Sequence, residues 1–350
     1  VIPLKALVKR FILRERPKME WVWPLLKIVA SIALIAFVVT LGLSFLLVWS
    51  NTHPPRYPLR VSSANYNVPF EEVSFCSQDG IPLKGWYLPS LSRIEGKAPA
   101  VILCHGLGAS KSDFVELGAY LCRKGFHVLL FDFRGHGDSG GRRCSLGYLE
   151  KMDLLAALSL LKGKGEVDPH RIGVYGFSLG GAVAIMTAAE SSDIQAVVAD
   201  TAFSSMEEEA THALTQIYHL PRYPFLWLGK LAYRLLFGFG LEAISPMSAI
   251  GKLSGRPVLL IAGVGDEMIP DAHAGYLYEA AGQPKELWLI QEAMHGGTLA
   301  AAGPEYERRL ERFFSQALRR LDRRNPRPPE SAFPKPGQNW TRPKGSPRSS

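Results

Sequence analysis

The sequence predicts an α/β protein, a mostly parallel eight-stranded sheet with helices on both faces, carried behind one N-terminal transmembrane helix. Three observations predict it. Between residues 70 and 322, β-like runs alternate with helical ones, the order expected of strand–helix–strand units. Several of the β-like runs are continuously apolar, as strands buried on both sides must be. Near the start, 22 consecutive residues, 28 to 49, carry no charged side chain.

Residues 1–27 form a basic N-terminal stretch, with Lys5, Lys9, Arg10, Arg14, Arg16, Lys18 and Lys27. The apolar run over 28–49 would cover about 33 Å as a helix, enough to cross the hydrocarbon of a bilayer. Trp21, Trp23 and Trp49 fall near its ends, where amphipathic rings prefer the headgroup layer. Only Arg56 and Arg60 follow closely, so the charge asymmetry predicts a cytoplasmic N-terminus and a cell-membrane protein whose remaining chain is extracytoplasmic. A cleavable signal peptide is the alternative. Its apolar region is usually about 7–15 residues and ends in small residues, which Val48, Trp49 and Ser50 match poorly.

After a linker over 50–69 come eight strand candidates: EEVSFC, GWYLP, PAVILCHG, HVLLFDF, RIGVYGF, AVVAD, PVLLIAG and KELWLIQ. Helical spacing is expected between them at 113–124, 146–161, 179–190 and 272–281, and then over 304–321 with Leu310, Phe313, Phe314, Leu318 and Leu321 on one stripe. Residues 204–255 interrupt the alternation. Their middle, YPFLWLGKLAYRLLFGFGL, is charged only at Lys230 and Arg234, which predicts a helical cap inserted after a strand. Such a cap serves either as extra core packing or as a lid over an acyl-binding pocket beside a membrane. The tail over 323–350 has seven prolines and no apolar periodicity, and is expected to remain disordered.

Composition narrows the function. With 47% hydrophobic residues the chain can fill a sizeable core, and the net charge of +8 is concentrated at the two ends, which argues against a nucleic-acid-binding face. The sequence holds no phosphate loop, no HExxH and no dinucleotide fingerprint, so it implies no cofactor and no metal. Cys76, Cys104, Cys122 and Cys144 match no zinc or redox spacing, and are expected as small buried thiols.

The stretch GVYGFSLGG places Ser178 where a strand passes into a helix. A one-residue turn there forces an unfavourable backbone conformation and brings strand and helix together, so side chains two positions away would clash. Gly176 and Gly180 remove that clash and hold the Ser178 hydroxyl at the carboxyl end of the sheet, where doubly wound folds bind ligands. Leu179, first in the following helix, offers a backbone N–H to an anionic oxygen.

This G-x-S-x-G turn resembles the nucleophile elbow of the α/β-hydrolase family. The likeness extends to HGLG at 105–108 and FDFRGHGDSGG at 131–141, and covers roughly residues 70–322. It implies a serine, acid, histidine order. Asp266 in GVGDEMIP, after one strand, and His295 in EAMHGG, after the next, match that order, with Asp200 and Glu267 as weaker candidates for the acid. By resemblance, the N–H of Leu107 is the second donor of an oxyanion hole. His105, His136 and Asp132 are expected to hold turns by hydrogen bonds, and Arg134 to pair with Asp138. The remaining histidines at 127, 170, 212, 219 and 273 lack such context.

The resemblance thus implies a serine hydrolase of esters or thioesters, acting through an acyl-enzyme on a small-molecule or lipid-like acyl substrate, with the membrane as the other partner. A peptidase, an acyltransferase or a noncatalytic binding protein of the same fold are the alternatives.

Overall fold

The computed structural model describes residues 21–57, 66–92 and 96–319, so most of the basic stretch over 1–27, part of the linker over 50–69 and the proline-rich tail over 323–350 lie outside the described residues. All eight strand candidates form one sheet: β1 (Glu71–Cys76), β2 (Pro82–Leu88), β3 (Ala98–Cys104), β4 (His127–Phe131), β5 (Val167–Phe177), β6 (Ile194–Asp200), β7 (Val258–Gly263) and β8 (Lys285–Ile290). Their order is β1-β2-β4-β3-β5-β6-β7-β8, with β2 antiparallel to both neighbours and every other pair parallel. The chain runs from β3 to β4 on one side and returns to β5 on the other. The carboxyl ends of β3 and β5 therefore flank the crevice where such sheets bind ligands.

The period of two along a strand splits the core between two layers. On β3, Ala100, Ile102 and Cys104 face one layer with Val174 and Ile185, while Val101 and Leu103 face the other with Tyr175 and Phe314. The helices that cover these faces are α2 (Val115–Arg123), α3 (Glu150–Gly163), α4 (Leu179–Glu190), α8 (Ala272–Ala280) and α10 (Pro304–Ala317). Between β6 and β7 lie only helical elements: α5 (Met206–His212), a π-helical turn, α6 (Arg222–Phe237), α7 (Pro246–Ile250) and two short 3-10 turns. A short α9 (Thr298–Ala302) precedes α10.

Two expectations need correction. The helix expected over 146–161 starts at Glu150, because Leu146 and Gly147 sit at positive φ, 59° and 126°. The Glu150 carboxylate holds that turn by accepting the N–H groups of Ser145 and Gly147 at 2.9 and 2.8 Å and the Ser145 hydroxyl at 2.6 Å. The apolar helix, α1, runs Val22–Thr52 and contains the expected span over 28–49, with Pro54 and Pro55 following its end. Cys104, Cys122 and Cys144 are buried thiols as expected, whereas Cys76 is exposed at the end of edge strand β1.

Candidate active site

Ser178 is the single residue between β5 and α4, at φ 52° and ψ −117°. Such a conformation costs a non-glycine residue about 1–3 kcal/mol and persists only where neighbours over-determine it. Here its N–H donates to the Asp200 carbonyl at 2.8 Å, and its own carbonyl accepts from Gly181 and Ala182 at 3.0 and 3.1 Å. The glycines behave as the turn requires. A Cβ on Gly176 would overlap the Gly180 backbone, and one on Gly180 would overlap the Cys104 carbonyl on β3. Ser178 is 8% exposed, and its hydroxyl makes no hydrogen bond among the described residues.

Asp266 and His295 come from neighbouring loops that are laced together. Val264 N–H donates to the Ile290 carbonyl at 3.0 Å and Gly265 N–H to the Ala293 carbonyl at 3.1 Å. This brings Asp266 Oδ2 to 2.8 Å from His295 Nδ1. The other oxygen, Oδ1, accepts the N–H groups of Met268 and Ile269, each at 2.9 Å, so the carboxylate is fixed on both sides. The His295 ring lies 5.1 Å from the Phe177 ring, centroid to centroid, and Phe177 immediately precedes Ser178. With Nδ1 engaged by Asp266, Nε2 is the nitrogen left to receive a proton, and it makes no hydrogen bond among the described residues. No hydrogen bond joins Ser178 Oγ to His295 Nε2 among the described residues; histidine–hydroxyl contacts in such sites often tighten only when substrate is bound.

The third loop, after β3, lies against the same turn: a Cβ on Gly106 would come within 3.3 Å of Ser178 Cβ. The N–H groups of Leu107 and Leu179 have no acceptor among the described residues, and Leu179 N–H is at the positive end of α4. Two unengaged donors beside a hydroxyl and a braced imidazole form an arrangement suited to acyl transfer.

The competing acids have other side-chain surroundings. Glu267 is exposed, and its carbonyl engages His212 Nε2 at 2.7 Å. Asp200 Oδ2 accepts the hydroxyls of Thr298 and Tyr306 at 2.6 Å and of Tyr175 at 3.3 Å. Oδ1 is buried without a partner, and burial raises this carboxyl to about 6. A cavity of about 340 Å³ adjoins Leu107, walled by Phe114, Leu117, Phe177 and Leu299, with exposed Tyr57 at its rim and Asp200 at its deep end.

The surrounding loops have the supporting roles expected of them, with one correction. His105 Nε2 accepts from Phe133 N–H at 3.0 Å, and its Nδ1 meets the Gly106 carbonyl at 2.7 Å. Burial lowers its pKa, so it holds the turn as a neutral ring. His136 similarly meets the Arg134 carbonyl at 2.9 Å. Asp132 is structural, accepting Lys111 N–H, Lys111 Nζ and Asp138 N–H at 2.6–2.9 Å. Arg134, however, does not pair with Asp138. Its guanidinium binds both oxygens of Asp153 and of Asp79, while Asp138 pairs with Lys111 at 2.7 Å. Asp138 is half exposed, and a buried guanidinium gains more from the fully buried Asp153 on α3.

Sequence reasoning missed Glu209. It lies in α5 within the run Glu207–Glu208–Glu209, which reads as a solvated helix start. Burial, with the Asp266 charge nearby, raises its carboxyl to about 8.

Comparison with known proteins agrees with this architecture. Residues 99–232 match a family model described as the alpha/beta hydrolase fold. The chain is similar to the uncharacterized protein YqkD of Bacillus subtilis, 32% identical over 239 residues, covering 67% of this chain and 76% of that protein. It is also similar to the alpha/beta hydrolase domain-containing protein WAV2 of Arabidopsis thaliana, 27% identical, covering 71% and 79%. Among solved structures, the Pyrococcus furiosus esterase Pf2001 superposes with a TM-score of 0.62 at 27% identity, covering 76% of this chain and 100% of that one.

Proposed function

The chain belongs to the α/β-hydrolase family, and from that premise we propose that it is a membrane-anchored serine hydrolase of carboxylic esters or thioesters. The observation that carries the reading is the His295–Asp266 pair at 2.8 Å, set beside a strained, side-chain-unpaired Ser178 through Phe177. The likeness to an esterase supports the reaction class. Ser178 Oγ attacks the acyl carbonyl while its proton passes to His295 Nε2. The charge of the resulting imidazolium is balanced by Asp266, and the oxyanion is held by the N–H groups of Leu107 and Leu179. The same proton then goes to the departing alkoxide or thiolate, leaving an acyl group on Ser178. Water, deprotonated by His295, attacks that ester, and the carboxylic acid leaves as Ser178 regains its proton.

The anchor reading rests on α1. This helix is long and apolar enough to cross a membrane or to be a signal sequence, and nearly all of its apolar stretch is exposed, unlike a core helix. Its C-terminal end favours an anchor that stays attached: Ser44 and Thr52 are buried, and the Thr52 carbonyl accepts Cys144 N–H at 2.8 Å. The charge asymmetry of its flanks gives the orientation, N-terminus cytoplasmic and the site extracytoplasmic.

Replacing Ser178 by Ala tests the chemistry. Hydrolysis of a short chromogenic ester by the full chain in detergent should fall by about 10⁴-fold or more, with fluorophosphonate labelling lost. Labelling that persists in S178A would exclude this serine as the nucleophile.

A further inference from the structure

We propose, resting on the reading of α1 as a membrane anchor, that α6 is a second membrane-seated element whose outward face lies in the lipid leaflet on the domain's side. Apart from Val22 at its start, the covered face of α1 lies in its C-terminal half: Thr40, Leu47, Val48 and Asn51 are half-buried, and Ser44 and Thr52 are buried. α6 packs along this face, and Val48 Cγ2 is only 3.8 Å from the position a Cβ on Gly229 would take. Small residues at such a crossing, Ser44 and Gly229, let two helices approach closely within a membrane.

The length of the span then places α6. If the hydrocarbon ended at Thr40, only 13 residues would lie beyond Lys27, about 20 Å of helix against the ~30 Å required. The span must continue toward Trp49. From Thr40 to Trp49 is about 14 Å of helix, so the segment that α6 flanks is the half of the span within one leaflet.

The chemistry of the outward face agrees. Trp227, Leu231 and Leu235 recur every four residues at 61%, 43% and 80% exposure, a row that water would penalise and an interface would accept, and Tyr223, 66% exposed, precedes them at the non-helical start of α6. Trp227 and Tyr223 are the ring types favoured at headgroup depth. Lys230 is drawn off this row to Glu207 at 2.7 Å. Arg222 lies over the Tyr223 ring, its guanidinium carbon 5.5 Å from the centroid, and the exposed Arg234 has a stem long enough to bring its charge to the headgroups.

The arrangement is braced as one piece. Arg143 donates to the Leu236 carbonyl at 3.1 Å, and Arg56 donates to the carbonyls of Gly137, Ser139 and Gly141 at 2.6–3.1 Å. Tyr57, at the rim of the cavity beside Leu107, is five residues from the end of α1, hence no more than about 18 Å from it. The cavity wall at Tyr57 thus lies within that distance of the end of α1.

The test uses the full chain with Cys76→Ser, leaving three buried thiols, and one added cysteine carrying an environment-sensitive fluorophore. Leu235→Cys reports α6, Val38→Cys the anchor, and Arg312→Cys, on the far helix α10, the solvent. The protein is reconstituted in phosphatidylcholine–phosphatidylglycerol vesicles with or without a lipid-borne doxyl quencher. Labels at 38 and 235 should both lose about half or more of their emission to doxyl lipid, and the label at 312 almost none. Quenching at 38 but not at 235 overturns the proposal while leaving the anchor intact. No quenching at 38 removes the anchor reading and the proposal with it. A label at 235 shielded from aqueous iodide yet untouched by doxyl lipid would mean that protein covers the face, also overturning it. Trp227→Cys makes the same measurement if Leu235→Cys does not fold.

Discussion

Ser178, His295 and Asp266 carry unequal shares of the proposed chemistry. Removing His295 removes the base itself, whereas Asp266→Asn leaves a base whose tautomer and orientation are wrong. His295→Ala should therefore cost about 10⁶-fold in kcat and Asp266→Asn about 10⁴-fold, measured on one chromogenic ester. Equal losses would mean that Asp266 does not act through His295. Glu209, behind Asp266, gives a separate prediction. In the folded chain its carboxyl keeps its proton up to about 8, while the unfolded chain releases it near 4.5. Between those values the folded state holds one more proton, so stability falls as pH rises through that window and levels off above it. Glu209→Gln cannot lose that proton. Its melting temperature relative to the parent should climb by several degrees from pH 5 to pH 8, at roughly 2–4 °C per kcal/mol for a domain of this size. Parallel curves would show that Glu209 is not held protonated.

Among the elements, the loop after β4 ties the molecule together through Arg134. Its guanidinium joins α3 through Asp153 and the β1–β2 turn through Asp79 and Ser77, with N–O distances of 2.7–3.1 Å. Arg134→Met would leave Asp153 buried without a counter-charge, which costs about 3–5 kcal/mol, far more than the net worth of the intact pair. The expected result is a large drop in thermal midpoint for Arg134→Met and partial recovery in Arg134→Met/Asp153→Leu. A double variant as unstable as the single one would show that the cost is lost packing rather than a stranded charge.

For the whole molecule, α1 is part of the folded body as well as the proposed anchor. A chain shortened to residues 51–350 would uncover the α6 surface beneath Ser44 and Val48 and leave the outward row of α6 exposed. In buffer without detergent it should elute as aggregates on size exclusion, while the full chain in detergent remains monodisperse. A monodisperse, active 51–350 chain would show that α1 contributes nothing to the body of the protein.

The inner strands β3, β4 and β7 were legible because strands buried on both faces are written as continuous apolar runs bounded by turn residues, whereas the exposed edge strand β1 was legible only by its place in the alternation of elements. The Ser178 turn was legible too, since only glycine fits two residues either side of it, and that requirement is local. The resemblance to the α/β-hydrolase family singled out Asp266 and His295 as candidates, but their meeting depends on two loops laced by backbone bonds that no pattern encodes. Arg134 chose Asp153 and Asp79 over the nearer Asp138, because burial decides which carboxylate a guanidinium gains most from, and burial exists only once the chain has folded. Arg56 gripping carbonyls more than 80 residues away, Glu209 behind Asp266 and α6 laid along α1 belong to the same class. The sequence by itself determined which segments are strands, which turn is strained and which helix is apolar all round, since each follows from neighbours in the chain. Tertiary structure alone decided which charges are buried together and which apolar face is left uncovered, because both depend on segments that meet only in space.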